Sequence, residues 1–300
     1  MFVRLMLQNQ SNLQINGLSG MFLISLLDPL FLFLTPRFYS EKRMFTLNIQ
    51  TYEDERIDDL QYKGLQLIQK IGGFCFGVDA VLLANFADIR KNAVVIDLGT
   101  GTGIIPVLLA GKTQASKIVG LEIQEEMAEM AKRSVALNNL EDRIDIVCGD
   151  IKSSALHFGA SKFQNVVSNP PYMNQGGGLV NTKDTKAIAR HEILCSLEDV
   201  IREGSRLLMP GGQLSMVHRP ERLVDIVCLM RNYGIEPKYI RFVHPSPYKK
   251  ANLLLVKGTR GGRPQLKMMD PLYVYDEYGS FSKEIDEIYC RDVIRKGVEG

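Results

Sequence analysis

The chain has 300 residues, 45% hydrophobic and 23% charged, enough for one large α/β domain or two small ones with a buried core. Its 36 basic and 34 acidic residues leave a net charge of +2, so overall charge does not argue for a nucleic-acid partner. The five cysteines (Cys75, Cys148, Cys195, Cys228, Cys290) form no C-x-x-C pair and do not cluster with the four histidines (His157, His191, His218, His244), which argues against a disulfide framework and a zinc site.

Residues 21–34 form an apolar run that is short for a membrane span and is broken by Asp28-Pro29. Only Arg4 precedes it as a basic residue, and no A-x-A-like cleavage site follows, so neither a signal peptide nor membrane attachment is expected. Residues 1–43 are expected to lie outside the fold, with Met44 opening the globular sequence. They hold four basic and two acidic residues; removing them from 36 and 34 leaves 32 of each sign. From Met44, strand and helix signals alternate, the pattern of a mostly parallel sheet with covering helices. Strands are predicted over 93–98, 117–122, 144–148, 163–168 and 213–217. Helices are predicted over 80–87, from 104 to 110, and over 125–138, 197–208 and 222–233. Met209-Pro210-Gly211-Gly212 reads as the end of the fourth of these helices, and Gly234 closes the fifth. Residues 239–243 and 251–256 read as an antiparallel pair at the sheet edge. Between 237 and 269 lie Lys238, Arg241, Lys249, Lys250, Lys257, Arg260, Arg263 and Lys267 with no acidic residue, either a phosphate-attracting surface or a set of solvated strand ends.

Three strand ends carry polar chemistry. After the first strand comes Asp97-Leu98-Gly99-Thr100-Gly101-Thr102-Gly103, whose alternating glycines permit a sharp turn and leave room for a ligand at a helix start. Dinucleotide-dependent dehydrogenases use a related turn, but Ile104 stands where their last glycine falls. The second strand ends at Glu122, about 20 residues on, where a carboxylate can hold ribose hydroxyls. The third ends at Gly149-Asp150-Ile151, where a carboxylate can accept from an adenine amino group. In this order the motifs resemble those of class I S-adenosylmethionine methyltransferases. The resemblance implies a seven-stranded, mostly parallel Rossmann-like sheet with an antiparallel edge pair, and S-adenosylmethionine as cofactor. It further implies a backbone cradle at Gly99, Gly101 and Gly103, ribose binding by Glu122, and cofactor contacts from Asp97, Asp150 and Ile151.

The fourth strand ends in Ser168-Asn169-Pro170-Pro171-Tyr172, which matches the N-P-P-Y motif of methyltransferases acting on amino groups attached to planar systems. The nitrogen lone pair of such a group is delocalised and a poor nucleophile. The Asn169 side-chain oxygen and the Pro170 carbonyl can accept its hydrogens and favour the more pyramidal, positively charged transition state. The prolines fix the backbone, and Tyr172 offers a ring for a base to stack on. Asn169, Pro170 and Tyr172 are therefore the candidate catalytic residues; read in isolation, the motif is also compatible with a tight turn after a strand.

Upstream, residues 74–79, with Gly77 and Asp79, resemble a family motif that packs on the methionine end of the cofactor; Asp79 alternatively caps the helix that follows. The loop 173–189 after the catalytic motif carries Gly176-Gly177-Gly178, and with Lys183 and Arg190 it reads as a cover, an RNA-contacting loop or a surface loop. Residues 58–256 resemble the bacterial tRNA1(Val) adenine-N6 methyltransferases. This implies a cytoplasmic enzyme methylating N6 of an adenine beside a tRNA anticodon, with Pro171, Lys183, Arg190, Lys249, Lys250, Arg260 and Arg263 toward RNA. The stretches 237–269 and 270–290 depart from the better-known members. Release-factor glutamine methyltransferases share N-P-P-Y, and a non-catalytic cofactor-binding module is the third reading. The expected organisation is an extension over 1–43, an N-terminal segment over 44–92, a methyltransferase core over 93–258 and a C-terminal tail over 259–300.

Overall fold

The computed structural model describes residues 51–72, 77–170 and 195–291, all within one compact unit, Leu47–Gly300. The expected extension over 1–43 lies outside the described residues.

The first two strands, β1 (Glu55–Asp59) and β2 (Gln66–Lys70), form an antiparallel hairpin that has no counterpart in the sequence reading. Then follow α1 (Val78–Phe86), β3 (Val94–Leu98), α2 (Ile104–Lys112), β4 (Lys117–Glu122), α3 (Glu125–Leu137), β5 (Ile144–Cys148), α4 (Ser154–Phe158) and β6 (Phe163–Ser168). After residue 195 come α5 (Leu197–Leu207), β7 (Leu208–His218), α6 (Leu223–Asn232), β8 (Ile235–His244) and β9 (Leu253–Arg260). Two short strands, β10 (Lys267–Met268) and β11 (Leu272–Tyr273), and α7 (Lys283–Ile288) complete the described elements.

Strands β3 to β9 form the expected seven-stranded sheet in the order β8-β9-β7-β6-β3-β4-β5. Only β9 runs against the others, and it sits between β7 and β8. The edge pair is therefore antiparallel through β9 alone, while β8 keeps the common direction. Both β10 and β11 pair in parallel with β8, making nine strands in all. Near-continuous burial of β3 and β4 marks strands covered on both faces. Alternate residues feed two cores. Val95, Ile118, Val167 and Leu255 face α1, α2 and α7, whereas Ile96, Val119, Val166 and Leu254 face α5 and α6.

The segment Met209-Pro210-Gly211-Gly212 does not simply terminate a helix. It bulges within β7, where the partners of β6 jump from Phe163↔Leu208 to Asn165↔Gln213. Gly211 there has φ +79°, and a Cβ on Gly212 would stand 2.9 Å from the Gln164 and Met209 carbonyl oxygens. The stretch from 267 to 288 joins the same core, since Leu272, Ile285 and Ile288 are buried and Arg241 holds Glu284 through bonds of 2.6 and 2.7 Å.

Candidate active site

Parallel β3, β4 and β6 deliver their C-terminal ends to one edge of the sheet, and the polar motifs meet there. Ser168, fully buried at the end of β6, donates 2.8 Å to the Leu98 carbonyl and so ties the catalytic motif to the start of the glycine turn. Sequence reading assigned Ser168 no role; its place beside Asn169 at a strand end was the available signal.

Gly99, Gly101 and Gly103 have φ of +78°, +56° and +87°, a left-handed path that disfavours side chains. The Gly99 and Thr100 amides donate to the Leu121 carbonyl, which fixes the turn against β4. A Cβ on Gly101 would meet nothing within 4 Å, so open space lies over the turn. Glu122 accepts from the Gly101 amide at 2.9 Å with one oxygen and from the Gln124 amide at 2.9 Å with the other. Each carboxylate oxygen has a further lone pair for a hydroxyl donor. Asp150 accepts from the Lys152 amide at 2.9 Å and starts a short 3-10 turn, Ile151–Ser153. The Ile151 side chain reaches to 4.0 Å from where a Gly99 Cβ would stand, so Ile151 walls the space above the glycines.

Asp97 is fully buried, and neither of its oxygens has a hydrogen-bond partner. Burial and, to a smaller degree, the Glu122 charge push its carboxyl up to about 7. The Thr100 hydroxyl lies close enough to oppose this without reaching hydrogen-bond geometry. A buried carboxyl left in this state is costly to the fold and ready for a cationic ligand group. Together with the open glycine cradle, it fits the α-ammonium group of S-adenosylmethionine.

The catalytic motif is held from an element the sequence did not connect to it. Asn169 donates its side-chain amide to Asp79 at 3.1 Å, and the other Asp79 oxygen accepts from the Ala80 amide at 3.0 Å. The helix starts at Val78 with Gly77 at its N-cap and no side-chain cap, so Asp79 does not cap it as one reading of the sequence expected; it lies within the first turn of α1 and reaches the site. Gly77 makes room for this: a Cβ there would stand 2.6 Å from the Asp79 carboxylate. With its amide nitrogen turned to Asp79, Asn169 keeps its carbonyl oxygen as an acceptor. Pro170 is buried. At the end of neighbouring β7, buried His218 is pushed down to about 4, chiefly by desolvation and then by Arg222 and Arg219, so it is neutral at pH 7. The residues Pro171, Tyr172, Lys183 and Arg190 lie outside the described residues.

The basic stretch divides between the two ends of the sheet. Lys249 and Lys250 lie in the β8–β9 turn, on the edge that carries Asn169. Because β9 runs backwards, Arg260 falls on the opposite edge, where it donates to Ser161 and to the Leu208 carbonyl. Arg263 follows it there, its carbonyl bound by Lys238. Lys257 is buried against Phe86 and Tyr239. Among the described residues no helix is long and apolar enough to cross a membrane, and no group of His, Cys, Asp or Glu could hold a metal ion.

Comparison with known proteins identifies the family and the fold. The methyltransferase small domain family matches residues 77–230. A tRNA1(Val) (adenine(37)-N6)-methyltransferase of Porphyromonas gingivalis is 31% identical over 204 residues, covering 66% of this chain and 79% of the relative. One of the same description from Aeromonas salmonicida is 30% identical over 186 residues, covering 62% and 76%. Among solved structures, a predicted O-methyltransferase of Agrobacterium tumefaciens superposes with a TM-score of 0.58 at 26% identity, covering 71% of this chain and 95% of that one.

Proposed function

The chain belongs to the methyltransferase small domain family and, within it, to the tRNA1(Val) adenine-N6 methyltransferases, and from this premise we propose that it transfers the methyl group of S-adenosylmethionine to N6 of an adenine beside a tRNA anticodon. The observation that carries this reading is the joint at the end of β6, where Asn169 is held by Asp79 and pinned through Ser168 to the glycine turn.

When bound, S-adenosylmethionine supplies a methyl group already activated by its sulfonium, so orientation is the main task of the chain. Gly99, Gly101 and Gly103 leave the backbone open to the cofactor, and Glu122 takes its ribose hydroxyls. Asp150 and Ile151 hold the adenine end, and the buried Asp97 carboxylate complements the α-ammonium group. The Asn169 oxygen and the Pro170 carbonyl accept the two hydrogens of the target amine. That positions the lone pair and stabilises positive charge as it develops on nitrogen. Tyr172 stacks on the extruded base. Lys249 and Lys250 take phosphates on the active-site edge; Lys183 and Arg190, which lie outside the described residues, are the further candidates for RNA contact. Arg260 and Arg263, placed on the opposite edge, have no part in this reading. We place the reaction in the cytoplasm, a reducing compartment that suits the free thiols Cys148, Cys195, Cys228 and Cys290.

The test is nucleoside analysis of tRNA from a strain lacking the gene. N6-methyladenosine is expected to vanish from one tRNA and to return with the wild-type gene but not with Asn169→Ala. An unchanged nucleoside profile in the deletion strain would overturn the proposal.

A further inference from the structure

The edge that carries Asn169 holds a second surface, which methyl transfer itself does not use. Five aromatic side chains are exposed among the described residues, and four of them (Tyr248, Tyr275, Tyr278, Phe281) lie in two adjoining turns beyond the ends of β8 and β11. Tyr248 and Tyr278 are 80% and 85% exposed, far beyond what packing requires. The rings of Tyr275 and Phe281 stack at 5.0 Å and 22° across a β-bridge.

These turns are built rather than loose. The Val274 and Tyr275 amides donate 2.9 Å to the His244 and Pro245 carbonyls, extending β11 alongside the β8 end. Asp276 closes its turn by accepting from the Tyr278 and Ser280 amides at 2.9 Å. The Tyr248 hydroxyl donates to Glu277 at 3.4 Å and joins the two turns. The His244 ring bonds the Lys249 carbonyl at 2.8 Å and fixes the first turn from beneath. Lys249 and Lys250, both exposed, form no ion pair with any described carboxylate.

We infer that this edge is a stacking platform for the unpaired RNA bases flanking the target adenine, a proposal that rests on the RNA reading above. An adenine extruded from a loop leaves its neighbours unstacked, and such bases bind by laying their faces on aromatic rings beside cations that track the backbone. Position agrees with this. In the strand order, β8 stands three spacings from β6 and β11 stands four, or ~14 Å and ~19 Å from Asn169. A few nucleotides of single strand cover that span. Tyrosine has only two side-chain torsions to restrict on binding, and the adjacent lysines match phosphate charge, which an apolar protein partner would not require.

The test compares wild type with Tyr248→Ala/Tyr278→Ala and with Lys249→Ala/Lys250→Ala, using purified substrate tRNA and fluorescence anisotropy across a salt series. All four side chains are exposed and the one bond lost, Tyr248 to Glu277, is long and solvent-exposed, so thermal midpoints should shift little and S-adenosylmethionine affinity should match wild type. The tyrosine variant should bind tRNA ~10-fold or more weakly with an unchanged salt slope. The lysine variant should lose roughly one unit of slope per lysine. Wild-type methylation of tRNA is scored separately, and its absence would overturn the functional reading itself. Methylation by wild type together with normal tRNA affinity in the tyrosine variant would overturn the platform alone.

Discussion

Asn169 takes its orientation from a carboxylate 90 residues upstream. If Asp79 acts only by turning the Asn169 amide, its effect must pass through Asn169. Asn169→Ala is expected to lower turnover ~100-fold with S-adenosylmethionine binding retained, as for loss of one transition-state hydrogen bond. Asp79→Ala should lower turnover ~10-fold or more, and the double variant should be no slower than Asn169→Ala. Independent, multiplying losses in single-turnover kinetics would refute the link. Asp97 makes a different prediction. Its carboxyl is pushed up to about 7 by burial, above its unfolded value of 3.8, so the folded state holds a proton that the unfolded state has released. Its contribution to stability is therefore fully present below about 4 and is lost as pH rises toward 7. Unfolding midpoints of cofactor-free Asp97→Asn should gain on wild type between pH 4 and 7 and run parallel above; a gap independent of pH would contradict the assignment. These residue types and their order along the chain were legible in the sequence. The bond from Asp79 to Asn169 was not, because it joins a helix start to a strand end through tertiary packing.

The glycine turn and the hairpin show how elements hold the site. Gly101 has φ +56° and open space above it, so Gly101→Ala should cost only about 1 kcal/mol of stability while sharply weakening S-adenosylmethionine binding, as calorimetry would show. The β1–β2 hairpin docks on α3 through polar contacts. The Ser134 hydroxyl accepts from the buried Ile68 amide at 3.0 Å, and Arg133 grips Glu55 at 2.6 and 2.7 Å. Ser134→Ala leaves that amide without its acceptor and should cost ~1–3 kcal/mol in urea unfolding. The parallel strands were readable because each is a short apolar run between turn residues. The hairpin was not, since β1 is the acidic ERIDD and its pairing with β2 turns on a six-residue connection with left-handed Gln61, Lys63 and Gly64. The β7 bulge escaped for a related reason: Pro and Gly after an amphipathic helix have the same local signature whether the chain stops there or loops out within a strand.

At the scale of the whole molecule, the stretch beyond β9 is part of the fold, and direction within the sheet decides which charges share the edge that carries Asn169. Sequence showed one basic stretch over 237–269, but the reversal of β9 sends Arg260 and Lys250 to opposite ends, which no linear reading can show. The short strands β10 and β11 escaped because two-residue strands carry no periodicity. Removing residues after 262 would uncover the core against which Leu272, Val274, Ile285 and Ile288 pack. Such a truncation should lower the thermal midpoint by several degrees and expose apolar surface to a dye such as ANS. Methyl transfer to RNA is tested most directly by following labelled methyl from S-adenosylmethionine, with the purified full chain, into tRNA and protein extract from a strain lacking the gene. Label is expected in tRNA, recovered after digestion as N6-methyladenosine. Label in a protein band with none in RNA would contradict it.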